Sequence, residues 1–283
     1  MRSARSLCAM VLLLALRALP AQADPGLLSG SLLDKVVQLN PVITGNTLSA
    51  SITLAGGITA DLTITFEQAV GLNANALSIS AQLLDPLSLL GRLPNLTSLP
   101  LALPVLIRIQ PTAQSALTFS GVYNLSIYTN VLTFANVLRV YRGPNGGPLQ
   151  DMTGKLEMGS VRAGGSGPGF SDFVIVVDLR AADAVINEKI NRLDAAVEAN
   201  AGSMPPTVYG DLRAAVQQIR ASYQAGRVQE ALDATIAFGT YVKTHSGSDI
   251  PDVWQANSNL VNVAGTLRSL ADTLRFSLVV RLN

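Results

Sequence analysis

The 283-residue chain has one cysteine, one histidine and one tryptophan, and only 14% of its residues are charged. Cys8 lies inside an apolar run near the N-terminus, so no thiol remains beyond that run. Disulfides, thiolate catalysis and cysteine-zinc sites are therefore excluded together. His245 is the single imidazole, and a Ser-His-Asp triad would have to use it. The best-placed serine, in Gly164-Gly165-Ser166-Gly167-Pro168, fails the nucleophile-elbow pattern at its last position. There is no paired-histidine zinc motif and no acidic loop of EF-hand spacing. His245, Asp249 and Asp252 are close in sequence but read as helix-end residues that cap or complement dipoles. Gly165 to Gly169 lacks the final glycine of a dinucleotide fingerprint. The sequence thus calls for no catalytic residues, no metal and no cofactor.

What is present is apolar. Hydrophobic residues make up 48% of the chain, which argues against disorder. Arg2 and Arg5 precede the apolar run Leu7 to Leu16, and Ala21-Gln22-Ala23 puts small residues on either side of a cut before Asp24. That is the layout of a secretory signal, and a run of about 10 residues is half of what spanning a bilayer requires. Residues 1–23 read as a cleavable leader, and the mature chain as exported to periplasm or medium without a transmembrane segment. Losing Arg2, Arg5 and Arg17 leaves 17 basic against 19 acidic groups. No basic field invites nucleic acid. Arginine outnumbers lysine 16 to 4 and alanine is abundant, a bias that points to a bacterium with a G+C-rich genome.

Residues 24–179 carry strand signals. Ile58, Ala60, Leu62, Ile64 and Phe66 alternate with Thr59, Asp61, Thr63 and Thr65, as in a half-buried strand. Comparable runs occur at 47–54, 76–83, 105–110, 121–129, 137–142, 155–162 and 170–179. Gly143 to Pro148 reads as a tight turn and Ala163 to Gly169 as a mobile loop. From Leu83 to Pro104 leucines are dense, but Pro86, Pro94, Pro100 and Pro104 forbid regular structure. Two roles stand open for Leu87, Leu90, Leu93 and Leu96: a plug on the β-structure, or an exposed patch that docks a partner.

Near Leu179 the apolar period lengthens from two to 3.6. Ile186, Ile190, Leu193 and Val197 share one helix face, Leu212, Val216, Ile219 and Tyr223 a second, and Leu232, Phe238 and Val242 a third. A fourth helix is expected from Ser248 or Asp249, with Pro251 in its first turn and Val253, Leu260, Val261, Ala264, Leu267 and Leu274 buried. Trp254 would then pack where helices meet strands. The expected architecture is α+β: an immunoglobulin-like antiparallel β-sandwich over 24–179, then an antiparallel four-helix bundle over 180–283.

Gly226-Arg227-Val228-Gln229-Glu230-Ala231-Leu232, leading to Phe238 and Val242, resembles the small FIMAH or FIVAR helical modules of secreted bacterial proteins. The whole chain, through Leu103 to Ile109, Gly169-Phe170-Ser171-Asp172-Phe173 and Ala271 to Phe276, is similar to uncharacterised secreted proteobacterial proteins of a domain-of-unknown-function family. The resemblance implies a two-part exported protein and brings no catalytic residues with it.

Three functions remain on this reading. The first is a non-catalytic binding or structural module whose partner is an envelope protein or a glycan. The second is a carbohydrate-binding module that stacks sugars on Tyr123, Tyr128 and Tyr141. The third is a hydrolase using two carboxylates among Asp61, Glu67, Asp151, Glu157, Asp172 and Asp178.

Overall fold

A computed structural model describes residues 35–283, apart from 90, 134, 136, 157, 158, 160 and 161. The expected leader, Leu90 and Glu157 lie outside the described residues. Two antiparallel sheets and four α-helices make up an α+β protein.

One sheet runs in the order β1 (Val36–Leu39), β5 (Leu77–Leu83), β7 (Val105–Pro111), β13 (Asp172–Asp178), β9 (Leu138–Gly143) and β10 (Gln150–Asp151). A short β6 (Thr97–Ser98) pairs with the end of β13 that β7 leaves free. The second runs β11 (Lys155–Leu156), β12 (Arg162–Gly167), β8 (Thr118–Tyr128), β4 (Ile58–Val70), β3 (Thr47–Leu54) and β2 (Val42–Thr44).

Alternation decides which face of each strand is buried. Ile58 to Phe66 at every second position of β4 is buried, while Thr59, Asp61 and Thr65 between them are exposed. These residues meet Leu48 and Ile52 of β3, and Ile79, Ile107, Val140 and Phe173 of the other sheet, in one hydrophobic cluster. Each such side chain contributes about 1.5–3 kcal/mol by leaving water.

The glycine-rich stretch expected to be a mobile loop is instead strand β12, buried from Ala163 to Gly167. A Cβ on Gly165 would lie 2.0 Å from the Met152 carbonyl oxygen, and one on Gly167 would lie 2.3 Å from the Tyr123 hydroxyl. Glycine is used here for close approach, which composition alone does not distinguish from flexibility.

The leucine-proline segment covers the outer face of the first sheet. Leu84, Leu89 and Leu99 pack on Leu106, Tyr141, Val174 and Val176, with half-buried Leu93 beside them. Arg92 fixes the segment by donating to the Gly147 and Pro144 carbonyls and to Asp172. Leu87 and Leu96 point to solvent.

Helices α1 (Ala182–Ala199), α2 (Pro206–Gln224) and α3 (Val228–His245) form where the 3.6 period places them. Gly226, at φ 74°, ends α2 in a left-handed conformation. The fourth helix begins later than expected, as α4 (Val263–Leu282). Between them the chain returns to the second sheet as β14 (Val253–Gln255), antiparallel to Thr118–Ser120. The segment after residue 179 is therefore not purely helical. Val253, Leu260 and Val261 are exposed rather than part of a helical stripe. Trp254 stacks on Phe119 at 5.1 Å and meets Phe170 edge-on, so aromatic packing outweighs the helical period at this point. Pro251 precedes that strand, and Asn262 is the cap of α4, its side chain accepting from Gly265 N at 2.7 Å. The last residues continue the helix to Leu282.

The four helices share a second hydrophobic cluster, with α1 and α3 each packed against α2 and α4. Helix α4 also lies against β12 and β8. Where α1 meets the sheets, Lys189 is 1% exposed, with its Nζ 2.5 Å from Asp151 Oδ2 on β10. The ammonium also donates to the Thr273 carbonyl at 3.0 Å and to Ser277 Oγ at 2.8 Å, both on α4. Asp151 Oδ1 accepts from Thr153 N. Burial pushes the Lys189 ammonium below its ordinary value, and the Asp151 charge opposes this.

Three stability measurements test this packing. Gly165→Ala should cost about 1–3 kcal/mol in denaturant unfolding, because the carbonyl it strikes is backbone. Gly210→Ala in α2, with nothing within 4 Å, should gain about 0.5–1 kcal/mol. Lys189→Met should cost about 3–5 kcal/mol by leaving Asp151 buried and unpaired, and Lys189→Met with Asp151→Asn should recover most of it.

Candidate functional site

The residues proposed from sequence separate on folding. Tyr123 and Tyr141 are 0% exposed, so neither ring can serve as a platform for a sugar. Tyr123 points into the core, stacked on Phe170 at 5.2 Å, with its hydroxyl donating to the Gly169 carbonyl. Tyr141 lies on the opposite face of the first sheet, under the leucine segment, and donates to Asp178 Oδ2 at 2.7 Å. Burial and the Asp151 and Asp178 charges push its pKa far up. Tyr128 alone is half-buried rather than enclosed, with the Arg162 guanidinium 5.5 Å above its ring. A coplanar row of three tyrosines does not form, because strand alternation and sheet packing turn two of them inward.

The described acids are each engaged. Asp172 is clasped by Arg108 at 2.7 Å and Arg92 at 2.8 Å. Burial raises its pKa, but the two guanidiniums outweigh this and hold it below the ordinary carboxylate value. Asp178 is held low in the same way, with Arg180 outweighing burial. Arg180 also pairs with Glu188. Asp61 accepts from Ser51, and Asp151 belongs to the Lys189 pair. Glu67 occupies a bulge between Phe66 and Gln68 and binds Arg268 through both oxygens, at 2.5 and 2.7 Å. Burial raises the Glu67 pKa, but Arg268 and the Val122 N–H outweigh it and lower the value. Glu67, Asp172 and Asp178 are thus all lowered, whereas a general acid working near neutral pH needs a raised value.

His245 ends α3, stacked on Tyr241 at 4.1 Å with Nδ1 2.9 Å from the Tyr241 carbonyl oxygen. Ser166 donates to Asp272 at 2.8 Å. Neither is joined to the other in a nucleophile-base pair. Among the described residues no group of three histidines, cysteines or acids could hold a metal ion.

The outer face of the second sheet and the adjoining side of α4 form a groove of about 390 Å³. Its floor is two cross-strand rows, Thr63–Ser126–Gly164 and Thr65–Asn124–Ser166, set by the antiparallel registers of β4, β8 and β12. Asp272 and Arg275, one turn apart on α4, line it together with Lys155 and Arg162. Hydroxyls, an amide and charges of both signs thus converge in one concavity. Tyr128 and Arg162 continue the same face into a neighbouring depression beside Asp61 and Ser51.

The outward threonines of β4 were legible from alternation. Asn124, Ser126 and the β12 residues were not, because their facing depends on register, and Asp272 and Arg275 join them only through the docking of α4.

In class this is an α+β protein with two antiparallel sheets and four helices. The chain belongs to a family of unknown function, DUF6689, whose pattern it matches over residues 11–281. No curated protein and no solved structure matches it.

The clasped acids set the response to pH. A carboxylate whose folded-state pKa lies below its unfolded value stabilises above the unfolded pKa, and that contribution is lost as pH falls through the folded value. Stability measured from pH 7 down to pH 2 should therefore fall below about pH 4, the range where unfolded carboxylates titrate. Asp172→Asn should flatten that fall while lowering stability at pH 7.

Proposed function

We propose that the protein is an exported, non-catalytic binding or structural module of the bacterial cell surface or periplasm. The observation that carries the binding reading is the groove across β4, β8, β12 and α4. Converging hydroxyl, amide and charged groups there can orient a polar partner, and the acids are engaged in ion pairs and hydrogen bonds rather than poised for chemistry. Export rests on the basic, apolar and small-residue pattern of residues 1–23 and on a mature chain without cysteine. No described helix is long and apolar enough to cross a membrane.

The finer architecture belongs to the same proposal. An immunoglobulin-like sandwich carrying an antiparallel four-helix bundle accounts for one core cluster shared by both sheets and another shared by the helices. A partner surface at Leu87 and Leu96 draws support only from their exposure, since Leu93 packs inward.

The second reading is a glycan ligand. Tyr128 favours it, as the one proposed tyrosine with ring surface left in reach of solvent and a guanidinium beside it.

Capture from envelope and culture fractions, with a glycan array in parallel, tests both. Thr65→Trp fills the exposed floor of the groove and should abolish capture at an unchanged melting temperature. Capture that survives this variant would remove the groove reading. Array signal lost with Tyr128→Ala would assign the ligand to sugars, and a signal indifferent to it would remove the glycan reading.

A further inference from the structure

A second, larger concavity of about 550 Å³ opens where β9, β10 and β12 face helices α1 and α4. Its charged lining is lopsided. Arg142 shares a strand face with Val140 and reaches the Tyr123 hydroxyl, and no described acid pairs with it. Arg192, from α1, donates to the Asp151 carbonyl at 3.2 Å and has only a long 3.9 Å approach to Glu188. Burial depresses the Arg192 pKa, and the Arg142 charge adds to that effect. Asp151 is the one carboxylate in the lining, and Lys189 already neutralises it.

Two further features suit a ligand. The Thr273 hydroxyl is buried and has no partner among the described residues, and its residue lines the same cleft. Such a group costs free energy unless something bonds to it. The rest of the wall is mixed, with Pro144, Pro168, Ala195 and Leu270 giving apolar surface beside Gln150, Ser171, Thr266 and Ser269. Size and mixed lining are those of a small-molecule site.

We propose that this cleft binds a small organic carboxylate, its head between Arg142 and Arg192 and its carbon body against Pro168, Ala195 and Leu270. A planar carboxylate matches the guanidinium fork, and the nearby Asp151 disfavours an anion of higher charge. The site adjoins the sheet groove, with Ser166 the one lining residue common to both, and goes beyond the function proposed from it.

Isothermal titration with sodium benzoate tests the assignment, with benzyl alcohol as the neutral counterpart and sodium sulfate as the anion without a carbon body. Benzoate should bind saturably, and both controls about tenfold more weakly or worse. Arg142→Gln should weaken benzoate by about tenfold. Ala195→Trp, on the exposed side of α1, should block the cleft while leaving both arginines in place, so it decides the matter if Arg142→Gln fails to fold. Absence of saturable benzoate binding, equal binding of either control, or binding unchanged in a folded variant would overturn the proposal. Thr65→Trp in the sheet groove should leave benzoate binding intact, so failure of one site is not failure of the other.

Discussion

The ion pair between Asp151 and Lys189 is the constraint on which the junction of sheets and helices depends. Both side chains are 1% exposed, and each buried charge forgoes several kcal/mol of hydration. Only a fixed arrangement compensates for that loss: β10 must present the carboxylate, Thr153 must donate to it, and α4 must offer the Thr273 carbonyl and the Ser277 hydroxyl to the ammonium. An apolar contact would tolerate sliding, whereas this one specifies where α1 and α4 sit against the sheet edge. The cleft beside it inherits its shape from that placement.

A second seam lies on β8, whose one edge is shared between β14 and β12. At the break, Asn262 caps α4 and donates to the Gly121 carbonyl at 2.6 Å, while Glu67 leaves the β4 ladder to bind Arg268. Helix start and sheet irregularity are thus one structure. The bulge supplies the carboxylate, and the gap supplies the backbone groups that receive the helix. Gly165 then keeps β12 slim enough for the Met152 backbone to approach.

These seams produce concave polar surface in a protein whose ionisable groups are mostly paired. Membership of a family of unknown function transfers no chemistry to the chain. A functional reading rests on the two concavities, one lined by hydroxyls and mixed charge, the other by two arginines beside walls of mixed polarity. Both are framed by regular elements, so a ligand would meet side chains already positioned.

What the sequence determined by itself was periodic. Period-two runs such as Ile58 to Phe66 and period-3.6 runs such as Ile186 to Val197 identify strands and helices because burial of one face is a local pattern. The lack of any cysteine beyond residue 8 was equally legible, since it requires only composition. Tertiary structure alone decided the rest. It made the glycine stretch a strand, turned Tyr123 and Tyr141 inward, divided the leucines between a covered sheet face and solvent, and drew Trp254 into a strand where a helix was expected. These outcomes depend on long-range contacts: Gly167 meets Tyr123, 44 positions away, and Phe119 and Trp254 are 135 positions apart. Register and docking are long-range, and no local pattern encodes which surfaces they bring together.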